Sequence, residues 1–141
     1  MYIAFGNQVI DSKEIKETIE ENTEFKVIKD MSKGSKREDI LAFNLSVGVD
    51  VLKDMMEEDY EEDYNVDQSN EDDLFEEYLT LAEDLATDIE EYIPEEAILD
   101  IRAYKLDESY GDIKLIAVIA HEGLGELKLR DIMKRLLTQA E

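Results

Sequence analysis

Carboxylates are the one chemistry this chain supplies in quantity. Residues 51–100 hold 21 Asp and Glu against a single basic residue, Lys53, a net of −20 within the −23 of all 141 residues. Two carboxylates share acid–base work only where a pocket fixes their separation, and among 38 acids the sequence singles out no pair. No catalytic residue is assigned, and no enzyme activity is expected. The absence of cysteine removes thiolate nucleophiles, thiolate metal sites and disulfides. His121 is the only histidine; beside Glu122 it reads as a strand-end residue, with no Ser/His/Asp order and no metal-spaced cluster around it. Asp63-Tyr64-Asn65-Val66-Asp67 has the 1,3,5 spacing of a calcium loop. Gln68, however, stands where the sharp turn needs glycine, and Leu74 where a bidentate glutamate belongs. The 63–74 stretch reads as a plain acidic connection, so no metal and no cofactor is expected. Gly123-x-Gly125 lacks the third glycine and the lysine of a phosphate loop and reads as a strand-to-helix turn.

What these acids can do is bind. On helical spacing, like charges fall four apart at Asp54/Glu58, Glu57/Glu61, Glu58/Glu62, Asp59/Asp63, Asp72/Glu76, Asp73/Glu77 and Asp84/Asp88. Each such pair costs about 0.2–0.5 kcal/mol, and the set about 1.5–3.5 kcal/mol against a typical stability of roughly 5–15. Stability gives no reason for the arrangement. A face that merely solvates normally mixes signs, and lysine is almost missing here. Ordered helices carrying carboxylates in rows resemble B-form DNA, which presents one negative charge per ~1.7 Å of axis.

The residues expected to meet a partner are Asp54, Glu57, Glu58, Glu61, Glu62, Asp72, Asp73, Glu76, Glu77, Asp84, Asp88 and Glu91. In charge layout the chain resembles the acidic DNA-mimic inhibitors that phages and mobile elements carry against restriction, CRISPR or repair enzymes. That resemblance implies a non-catalytic inhibitor seated in the basic nucleic-acid-binding groove of a partner protein. The alternative is an acidic adaptor or assembly protein with no mimic role; divalent-cation binding and carboxylate catalysis stand behind both. Tyr60, Tyr64, Phe75, Tyr78 and Tyr92 lie among the acids, and any that is exposed would anchor a partner.

Bulk properties narrow the setting. A net of −23 disfavours direct contact with nucleic acid or anionic membranes, whose phosphates repel it. A hydrophobic share of 43% is that of a folding chain rather than an acidic tail. The length suits a single domain, 1–141. The N-terminus shows no basic leader, and no uncharged apolar stretch approaches the ~20 residues of a membrane span. A soluble, cytoplasmic protein is expected.

Several elements must position the acids. Tyr2–Phe5 and Phe25–Ile28 read as strands, with a short helix in DSKEIKETIEEN capped by Asp11. Leu41, Phe43, Leu45, Val47 and Val49 alternate as a strand with one buried face. Asp50 is placed to cap a helix carrying Leu52, Met55, Met56 and Tyr60 inward. From Asp72, the series Leu74, Tyr78, Leu81, Leu85, Ile89, Tyr92 predicts a long amphipathic helix running to Pro94. The acidic helical segment is thus 50–93, between a β-α-β-β block and a C-terminal hairpin plus helix. Ile98–Leu106 and Asp112–His121 form that hairpin around Gly111, and the continuous apolar run of the second strand marks it as central. Glu126–Ala140 closes as a helix with Leu129, Met133, Leu136 and Leu137 inward. Lys128, Arg130, Lys134 and Arg135 on it are expected over the acidic helices of the same chain or of a second copy, which allows a homodimer. Ser32–Arg37 reads as a basic loop. The expected fold is α+β: one mixed or antiparallel sheet of about five strands, with a long acidic helix, a shorter acidic helix and a C-terminal helix packed on it.

Overall fold

The computed structural model describes residues 2–5, 8–35, 39–60, 71–107 and 111–140, and their side chains apart from those of 8, 35, 55–60 and 71–75. The architecture is α+β, but its strands divide between two sheets. Strands β1 (Tyr2–Phe5) and β2 (Gln8–Asp11) form an antiparallel hairpin of their own. Strands β3 (Lys26–Asp30), β4 (Ile40–Gly48), β5 (Ala97–Asp107) and β6 (Asp112–His121) form a wholly antiparallel sheet in the order β3-β4-β6-β5. The expected single sheet of about five strands is corrected to four plus two. Gln8–Asp11 carries only two apolar residues, yet it supplies Tyr2–Phe5 with an antiparallel neighbour close by in the chain, so β1 needs no place in the main sheet.

The helices are α1 (Ser12–Asn22), α2 (Val49–Tyr60), α3 (Glu71–Ala86) and α4 (Glu126–Ala140). Asp11 caps α1 as expected, its carboxylate accepting from the Lys13 amide at 3.1 Å. Helix α2 starts at Val49, one residue before the expected cap, with Asp50 inside its first turn; the Val49 amide donates instead to the Gly111 carbonyl, 2.9 Å away. The long helix expected to reach Pro94 stops at Ala86 and tightens into a 3-10 turn, Thr87–Tyr92. Thr87 favours the change, its hydroxyl donating to the Asp84 carbonyl at 2.6 Å. Three residues per turn keep Ala86 and Ile89 on one buried side, so the apolar stripe survives.

Each central strand is buried on both faces. Pairing of Phe43 with Ala117 and Leu45 with Leu115 sets odd residues opposite odd. Leu41, Phe43, Leu45 and Val47, with Ile113, Leu115 and Ile119, make one core with Ile19 of α1, Leu52 of α2, and Tyr78 and Ala82 of α3. Ile40, Ala42, Ile116, Val118 and Ala120 make the other with Leu129, Ile132, Met133 and Leu136 of α4. Burying both faces of β6 explains its nearly continuous apolar run. Gly111 at φ +64° turns the β5–β6 hairpin, a conformation in which a side chain is strained.

Candidate acidic interaction surface

On α3, the inward series Tyr78, Ala82 and Ala86 is buried, which turns Glu76, Glu77 and Asp84 to solvent. The following 3-10 turn buries Ile89 and exposes Asp88, Glu90 and Glu91. No Lys or Arg occurs between residues 71 and 96. From Glu77 to Asp84 the rise is about 10 Å at ~1.5 Å per residue. Asp54 on α2 is exposed as well. Of the remaining expected partner residues, Glu57 and Glu58 lie on α2, and Asp72 and Asp73 on α3, with side chains outside those described. Glu61 and Glu62 fall outside the described residues, as does the Asp63–Asp67 spacing.

The acidic surface reaches further than its sequence block. The C-terminal end of α1 meets the 3-10 turn at a cleft of about 190 Å³ lined by Glu24, Asp88, Glu91 and Tyr92, with Asn22, Thr23 and Leu85. Glu20 and Glu21 stand exposed on the adjoining last turn of α1. Residues far apart in the chain therefore join in one acidic region around two helix ends. Both ends are electrostatically awkward. The last turns of α1 and α3 carry no basic residue, yet a helix C-terminus bears partial negative charge and favours cations. Neutral groups supply the termination of α1: Thr23 donates to the Ile19 carbonyl through both its hydroxyl (2.6 Å) and its amide (3.0 Å), and the Asn22 side chain donates to the Thr18 carbonyl (2.8 Å).

Two acids in these helices hold the sheet edges. Glu83 of α3 accepts from the Ala103 amide of edge strand β5 at 3.0 Å. Glu20 of α1 accepts a longer bond, 3.5 Å, from Val27 of edge strand β3. Edge strands carry unpaired backbone groups that invite other chains, and each carboxylate covers one. Sequence spacing could not separate these two from their neighbours, because a glutamate beside the apolar stripe looks like any other. Among the aromatics, Tyr78 is core and Tyr92 is half-buried against the cleft; the side chains of Tyr60, Tyr64 and Phe75 lie outside those described.

Of the two placements expected for the basic residues of α4, the one over the acidic helices of the same chain is not found. α4 packs on the opposite face of the sheet from α1, α2 and α3, so Lys128, Lys134 and Arg135 cannot overlie the acidic helices of their own chain. Arg130 alone reaches a groove at the β5 edge that also takes in Glu90, Asp100 and Glu126. Burial pushes the Asp100 carboxyl above its usual range, against the opposing pull of Arg102 and Arg130.

No family model, curated protein or solved structure matches this chain. The chemistry must be read from the geometry. His121 packs edge-on against Phe5, ring centroids 5.2 Å apart at 79°, and its Nδ1 accepts from the Gly123 amide at 3.1 Å. It ties the hairpin to the turn before α4, in which Gly125 adopts φ +90°. Among the described residues, no three His, Asp or Glu side chains gather as metal ligands, and no helix is long and apolar enough to cross a membrane.

Proposed function

We propose that this chain is a non-catalytic, cytoplasmic binding protein whose acidic surface occupies the basic nucleic-acid-binding groove of a partner protein, for example a restriction, CRISPR or repair enzyme. The observation that carries this reading is the joining of Asp84, Asp88 and Glu91 with Glu21 and Glu24 around two helix ends that favour the opposite charge, with Glu76 and Glu77 exposed further along α3. Residues kept against their local electrostatic preference answer to something other than folding. Rigid helices hold these carboxylates in place before a partner arrives, which reduces the ordering cost of association. Steered encounter with a basic groove would be fast and strongly weakened by salt.

The test is capture of basic nucleic-acid-binding proteins from a host lysate at low and high salt, followed by competition with duplex DNA. Capture that salt and DNA both reverse supports the mimic. Capture indifferent to DNA sinks it and leaves the adaptor reading, which the cations on the α4 side of the sheet favour because they give the molecule a second surface of different character. Replacing Glu76, Glu77, Asp84 and Asp88 by their amides should abolish capture while leaving the fold intact.

A further inference from the structure

β5 lies at an edge of the sheet, so among the described residues one side of its backbone has no strand beside it. Two bonds show which residues turn that way. The Ala97 amide donates to the Pro94 carbonyl and the Ala103 amide to Glu83, each at 3.0 Å. Backbone polar groups alternate sides along a strand, so Leu99 and Ile101 also face outward, while Ile98, Asp100 and Arg102 face β6 across from Ala120, Val118 and Ile116. Between the two closed positions, the Leu99 amide and the Leu99 and Ile101 carbonyls leave a window of one donor and two acceptors among the described residues, the Ile101 amide being engaged by the Asp100 carboxylate.

Beside this window runs a groove of about 240 Å³ with β5 residues 97–100 on its floor. Glu90 of the 3-10 turn stands on one wall, and Glu126 and Arg130 of α4 on the other. Glu90, Asp100 and Glu126 are thus three carboxylates, against Arg130 in the groove and Arg102 beside Asp100. The raised carboxyl of Asp100 shows that its two arginines do not fully offset its burial.

We propose that this groove receives an extended, lysine- or arginine-bearing segment of the partner, added as a strand along β5 at Leu99 and Ile101. This rests on the reading that the partner is a basic protein, and adds how one segment of it is held. In strand addition the main chain supplies affinity and alternate side chains supply selection. Every second side chain of the segment would lie on the α4 side with Asp100 and Glu126, where a cation is favoured. A second copy of this chain fits poorly. Two antiparallel β5 strands joined through Leu99 and Ile101 would set Asp100 directly opposite its equivalent, a like-charge pair. Sliding by one step either way would require the Ala97 or Ala103 amide, and both are already bonded.

The test uses the full chain and an acetylated, amidated octapeptide alternating Lys and Thr. On saturation at low salt, amide exchange at Leu99 should slow about tenfold or more. Of two N-methylated versions, one blocked at the Lys amides and one at the Thr amides, one should bind about tenfold more weakly, since it loses two hydrogen bonds of about 0.5–1.5 kcal/mol each at equal charge. In the chain neutralised at Glu76, Glu77, Asp84 and Asp88 the same amide should still be protected, because none of those residues lines the groove. Equal binding of all three peptides, or binding with no protection at Leu99, overturns strand addition while the acidic-surface reading stands. A chain that captures basic proteins yet never binds the octapeptide overturns the groove; a chain that captures neither overturns both.

Discussion

On one side of β4 and β6, helices α1, α2 and α3 shelter Leu41, Phe43, Leu45 and Leu115 and turn Glu20, Glu21, Glu76, Glu77 and Asp84 to solvent. On the other side, α4 shelters Ile40, Ile116 and Val118 and turns Lys128, Arg130, Lys134 and Arg135 to solvent. Both sides achieve burial, so burial does not dictate the sign of the outer charge. The sheet surface that α4 leaves open continues the contrast. Lys26, Ser46, Lys114 and Lys105 follow one another across the four strands in register, and Lys26, Ile28, Ser46 and Lys114 line a groove of about 520 Å³ there together with the acids Glu24 and Asp112. Lys114 is held by Asp112 at 3.1 Å. The α4 side thus mixes its cations with Glu24, Asp112, Glu126 and Asp131, whereas the outward face of α3 and its 3-10 turn carries acids without a basic residue.

The largest effect with which to probe this comparison comes from the cores. Phe43→Ala should cost about 3–5 kcal/mol, and Leu136→Ala on the α4 side about 2–5 kcal/mol. Urea unfolding of both variants checks whether the two layers melt together; two separate transitions would show that they are independent. A smaller effect should follow Ser32→Ala. Ser32 is fully buried, and its hydroxyl accepts from the Ala42 amide at 3.0 Å; an orphaned amide there should cost about 1–3 kcal/mol. Smaller again, and opposite in sign, is Glu21→Lys in the last turn of α1. Exchanging an acid for a cation there should raise stability by about 0.3–1 kcal/mol while weakening capture of a basic partner. A loss of stability would mean that the acid is structural and would remove the argument for function.

The strands and helices of the α4 side were legible in the sequence, because β6 is a continuous apolar run and α4 a clean stripe. The face to which α4 attaches was not, since a stripe on a helix says that it packs but not on which layer. β2 stayed hidden because Gln8 and Asp11 give it little strand character, and only pairing with Tyr2–Phe5 makes it one. The acidic block was legible as charge. Its extension onto Glu20, Glu21 and Glu24 was not, because the α1 segment joins it only through the fold.

The finest contrast lies between two aspartates on the two edge strands. Burial would push Asp30 up, but hydrogen bonds from the Ser32 hydroxyl, the Ser32 amide (2.9 Å) and the Ser12 hydroxyl outweigh it and hold its carboxyl below the usual range. Asp100 is shifted the other way, by burial that Arg102 and Arg130 do not fully offset. The signs then oppose each other. A depressed carboxyl contributes stability above its unfolded pKa and loses it as pH falls through the folded one. A raised carboxyl is least unfavourable when protonated, so its contribution improves as pH falls and is lost as pH rises through the folded pKa. Asp30→Asn should therefore lower stability at neutral pH, with the deficit fading in acid. Asp100→Asn should raise stability slightly at neutral pH, with that gain fading as pH falls towards the usual carboxylate range. Melting curves of both variants between neutral and acid pH test the pair. Parallel shifts of the same sign would mean that the two edges do not differ in the way their surroundings imply, and that Asp100 is better compensated than the groove at β5 requires.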